Sequence, residues 1–140
     1  NVSANGQGII TQASAGGAGT TSWGFFCGYG ASNNVSFYMS DGSNYFSSIT
    51  SGTTNVCTGN WVHIAVSRVG GTVYLFADGQ SQGTASIGTT AFGNGTLPVR
   101  VGAQGNSYAL PAGSFIDDLR IVKNSGLYTS NFTPPTGPTS

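Results

Sequence analysis

One stretch limits what this chain can fold into more than any other: Trp61 to Gly79, reading WVHIAVSRVGGTVYLFADG. Val62, Ile64 and Val66 alternate with His63, Ala65 and Ser67, two glycines follow at 70 and 71, and Val73, Tyr74, Leu75 and Phe76 resume the apolar run. Alternation at period two interrupted by Gly-Gly is a β-hairpin signal, because glycine tolerates the positive φ that tight hairpin turns require. With Gly70 and Gly71 central in the turn, each supplying positive φ, Val69 opposes Thr72. The register then sets Ser67 against Tyr74, Val66 against Leu75 and Ile64 against Ala77. One face of the ribbon is aliphatic and the other carries the aromatics. A ribbon apolar on both faces belongs in the middle of a packed sheet, since a sheet with one wet face needs apolar residues on one side only.

The remaining segments are short and separated by short turns. Gly8 to Ala13 is a strand candidate, followed by a Gly/Ala/Ser loop and by Trp23 to Tyr29, which places Trp23, Phe25, Cys27 and Tyr29 on one face. Val35 to Ser40 and Ser43 to Ile49 flank Asp41-Gly42, a dipeptide suited to a type I′ turn. Asp78-Gly79 forms another tight turn into Gln80 to Ala85, and Pro98 to Ala103 and Phe115 to Val122 complete the set. Many short strands at this spacing describe an all-β, two-sheet antiparallel sandwich or jelly roll. Residues 1–132 form the sandwich domain, and 133–140, with Pro134, Pro135 and Pro138, read as an extended C-terminal tail.

Composition narrows the partners. Charged residues make up 6% of the 140 residues, against about 25% in an average globular domain, and the formal net charge is zero. The chain contains no Glu. No basic patch is available to neutralise a run of phosphates, so nucleic acid is not an expected partner. No apolar segment approaches the ~20 residues of a membrane helix, and no leader opens the sequence; the first residue is Asn1 rather than Met, which leaves open what precedes it.

Two segments together resemble a known family. Trp61-x-His63-x-Ala65 leading to a hairpin that ends in Asp78-Gly79 is similar to the laminin-G-like, concanavalin-A-like jelly-roll lectin domains. Ile116-Asp117-Asp118-x-Arg120-Ile121 resembles that family's closing strand, and Tyr128-Thr129-x-Asn131-Phe132-Thr133-Pro134-Pro135 the tail common in its bacteriophage structural members. The resemblance covers Ile9 to Thr136 in outline and implies two antiparallel sheets and a place among phage surface proteins. The chain departs from the pattern at Leu127, where an Arg is usual, and lacks the family's opening strands. The sandwich is expected to be N-terminally incomplete, its open edge filled by residues before Asn1 or by a strand from a neighbouring copy.

Candidate sites follow from the few reactive side chains. Asp117 and Asp118 are adjacent, and adjacent strand residues point to opposite faces, so they cannot flank one scissile bond; the resemblance gives them, with Arg120, a structural role. The glucanase relatives of this fold use a Glu-x-Asp-x-x-Glu strand, which a chain without Glu cannot supply, and no catalytic residue is expected. His63 lies opposite Asp78 in the hairpin register, but a His-Asp couple without a nucleophile is no triad. Trp61, His63 and Asp78 therefore read as structural. Cys27 and Cys57 have the option of pairing, though two cysteines are not a disulfide framework. No zinc spacing is present. Some domains of the resembling family hold calcium at the rim, which makes Asp41 and Asp78 weak candidates, but no DxDxDG loop supplies the six to eight oxygens the ion takes. No metal or cofactor is expected. Sugar binding has better candidates: Tyr45 and Tyr108, with Asn106 nearby, offer the aromatic face and amide hydrogen bonds that a pyranose uses.

The expected function is a non-enzymatic virion surface protein of a phage, a capsid decoration or fibre component. It would work by contact with other virion proteins or copies of itself, as a homo-oligomer. The alternative is a lectin-like adhesin binding host or cell-surface glycans, extracellular or cell-surface, and a distant third is a glycoside hydrolase.

Overall fold

The computed structural model describes residues 5–13, 22–29, 33–50, 56, 58–93, 96–104 and 108–137. The described residues form eight strands: β1 (Asn5–Gln12), β2 (Trp23–Tyr29), β3 (Val35–Ser40), β4 (Tyr45–Thr50), β5 (Ile64–Val69), β6 (Thr72–Ala77), β7 (Gln80–Ser86) and β8 (Arg100–Val101). They form a five-stranded sheet in the order β4-β3-β2-β1-β8 and a three-stranded sheet in the order β5-β6-β7. Every pairing is antiparallel. The described residues contain no helix, and the architecture is a two-sheet β-sandwich.

The central hairpin has the register expected from sequence, with Val69 opposite Thr72, Ser67 opposite Tyr74, Val66 opposite Leu75 and Ile64 opposite Ala77. Its turn differs in detail. Gly70 has φ +57° whereas Gly71 is not in the positive region, which is the pattern of a II′ turn rather than one with two positive residues. Gly71 is needed for space instead: a Cβ there would press on the Gly88 backbone. Asp78 and Gly79 are both positive, at φ +48° and +73°, as a I′ turn requires. The Asp41-Gly42 connection is not a I′ turn. Ser40 pairs with Tyr45 across a bulge, and the intervening loop is organised by Asp41, whose Oδ1 accepts from the backbone amides of Ser43 (2.8 Å) and Asn44 (2.7 Å).

The aliphatic face of the hairpin points into the sandwich. Val73 and Leu75 pack with Ile10, Phe25, Val35, Phe37, Met39, Ile49 and Ile87 as one buried cluster. Phe25 and Phe37 meet edge-on with centroids 5.1 Å apart. The hairpin does not sit in the middle of a broad sheet: β6 is central, but β5 is an edge strand. Its second, aromatic face is covered by the chain's own C-terminal segment. Tyr128 and Phe132 stack with centroids 3.6 Å apart, and both lie edge-on to the fully buried Phe76 at 6.2 and 5.3 Å. Hydrogen bonds fix this segment to the sheet. The Phe132 amide donates to the Gly79 carbonyl (3.0 Å), Asn131 Oδ1 accepts from the Ser81 amide (2.9 Å), and the Tyr128 amide donates to Ser67 Oγ (3.1 Å).

Two strand expectations are corrected. Pro98 to Ala103 yields only the two-residue β8. Phe115 to Val122 forms no strand; residues 111–125 are exposed throughout. The cause is local. Asp117 Oδ1 accepts from the Asp118 amide (2.9 Å) and Asp118 sits at φ +49°. A side chain bonding the next amide competes with a ladder hydrogen bond, and a left-handed residue bends an extended chain.

Candidate functional site

The two sheets come closest along β4 and β7 and part toward the side where β1 and β2 face β5. A groove of about 1540 Å³ lies there, floored by Ile10, Trp23 and Phe25 and walled by Ile64 and Val66. Pockets for single small molecules run to roughly 300–1,000 Å³, so this space is larger than a monosaccharide site. Its mouth is crossed by residues 111–125. That segment is held at its two ends. The Leu110 amide donates to the Gly102 carbonyl beside β8 (2.8 Å), and Gly126 is packed so tightly against the Arg68 carbonyl of β5 that a Cβ would collide with it. Between these anchors Phe115 is 78% exposed, Leu119 50% and Ile121 58%, and Trp61 at the mouth is 70% exposed. Scattered exposed apolar residues are ordinary; these four line the same groove.

The structure places the four carboxylates in settings that the sequence did not specify. Asp78 Oδ1 accepts from the His63 backbone amide (2.9 Å), and the Asp78 amide donates to the His63 carbonyl (2.7 Å). The coupling is thus through the main chain, not the imidazole. The His63 ring instead lies edge-on to Phe132 at 5.6 Å, with Nδ1 buried and without a hydrogen-bond partner. At Asp41 the amides of Asn44 and then Ser43 hold the carboxyl below its usual range. Asp41 and Asp78 belong to turns of different sheets, each already engaged by backbone amides. Among the described residues no three His, Cys, Asp or Glu side chains gather closely enough to hold a metal ion. Asp117, Asp118 and Arg120 are exposed on the segment across the groove mouth rather than in a closing strand.

The sugar-site candidates are separated. Tyr45 begins β4 at one edge of the five-stranded sheet, and its side chain lies outside the described residues. The Tyr108 carbonyl accepts from the Gly8 amide of β1 (2.9 Å) near the opposite edge. Four strand spacings of about 4.8 Å, roughly 19 Å of sheet, separate those edges. Asn106 lies outside the described residues. So does Cys57, and with it the Cys27–Cys57 pairing; Cys27 itself is buried, with Sγ 3.9 Å from Gln7 Oε1. Two features were missed at the level of sequence. One is the aromatic clamp of Tyr128 and Phe132 on Phe76, whose signal was an aromatic pair four residues apart in a segment following a ribbon with an aromatic face. The other is the open groove, for which local patterning holds no signal.

Comparison with known proteins bears on this geometry. A family model described as the concanavalin A-like lectin/glucanases superfamily matches residues 1–125. No curated protein matches the chain. Among solved structures, an S-layer domain-containing protein (residues 221–444) from Clostridium thermocellum ATCC 27405 is similar at 19% identity over 99% of this chain, with a TM-score of 0.26. The chain spans 60% of that structure's length.

Proposed function

We propose that this chain, which belongs to the concanavalin A-like lectin/glucanases superfamily, is a non-enzymatic module that works by protein–protein contact. Its setting in this reading is the outside of a bacteriophage particle, as a capsid decoration or fibre component. The observation that carries the contact reading is the exposed apolar strip at the groove mouth, made of Trp61, Phe115, Leu119 and Ile121. Burying such a strip contributes about 25 cal/mol per Å² of apolar surface. A chain with a formal net charge of zero makes such contacts with little dependence on salt. The phage setting is supported by the tail pattern from Tyr128 to Pro135.

The carboxyl groups of the chain support the non-enzymatic reading. Glycoside hydrolysis needs two carboxyl groups flanking the scissile bond, and the chain has four Asp and no Glu. Asp41 and Asp78 are engaged in separate turns, while Asp117 and Asp118 are neighbours on an exposed segment. The test sets three readouts side by side on the purified chain: sedimentation, a glycan array, and turnover of chromogenic glycosides. Reversible association, reduced in the Trp61→Ser/Phe115→Ser double variant without loss of folding, is expected, with flat glycan and turnover signals. Saturable glycan binding lost in Tyr108→Ala, or turnover lost on an Asp→Asn change, would overturn the reading. Immunogold labelling of particles tests the setting.

A further inference from the structure

We draw no further inference here: the strongest candidate, the free edge of β5 along the groove between the two sheets, carries nothing, because nothing in the structure shows what covers it.

Discussion

A methyl group on Gly79 would meet the Phe132 carbonyl oxygen, and the residue's φ of +73° lies where side chains are rarely tolerated. Gly79→Ala is therefore expected to lower stability by about 1–3 kcal/mol and to loosen residues 128–132, read by denaturant unfolding together with amide exchange. His63 makes a contrasting case. Its backbone closes the hairpin end with Asp78, but its ring nitrogen Nδ1 is buried without a partner. A buried unsatisfied polar atom costs about 1–3 kcal/mol. His63→Phe keeps the edge contact with Phe132 and is expected to leave stability unchanged or raise it by about 1 kcal/mol; a marked loss would reveal a partner for the nitrogen. Asp41 supplies the pH dependence. Its folded pKa lies below the ordinary carboxyl value because the Asn44 and Ser43 amides favour the charged form. Its contribution is therefore present above the unfolded value of about 3.9 and is lost as pH falls through the lower folded pKa. The amide shifts of Ser43 and Asn44 in an NMR titration should follow that proton.

The elements differ in how far they could be read in advance. The β5–β6 register was legible because Gly-Gly fixes the turn and period-two alternation fixes the faces, leaving little freedom. The bounds of β2 and β3 were equally plain, since each is a dense apolar run bounded by glycine or polar residues. The segment 115–122 is also rich in apolar residues and is no strand. Pattern reports which face a strand would bury but not whether a neighbour exists to pair with it, and the Asp117 side chain offers the next amide a local alternative. The placing of Tyr45 and Tyr108 was not legible for a related reason: both lie in favourable local settings, but strand order decides their separation. Core and segment should respond differently to truncation. Leu75→Ala, at a fully buried position, is expected to cost about 2–5 kcal/mol. Leu119→Ala is expected to change the dilute chain's stability by no more than about 0.5 kcal/mol, with both read by denaturant melts.

At the scale of the whole molecule, sheet order and the path of the C-terminal segment lay beyond local pattern, because both depend on long-range closure. The sandwich is tight along β4 and β7, covered on one outer face by Tyr128 and Phe132, and open where β5 ends the smaller sheet. That asymmetry leaves an apolar strip facing water and supports a role in attachment. Apolar contacts are little screened, whereas contacts held chiefly by ion pairs weaken within a Debye length of about 10 Å at 0.1 M salt. The most direct measurement is a sedimentation concentration series at low and high salt. A reversible monomer–dimer equilibrium whose dissociation constant moves by less than about threefold between about 0.05 and 0.5 M salt is expected. A chain that stays monomeric at the highest concentration, or whose association collapses as salt rises, would contradict attachment through the apolar strip.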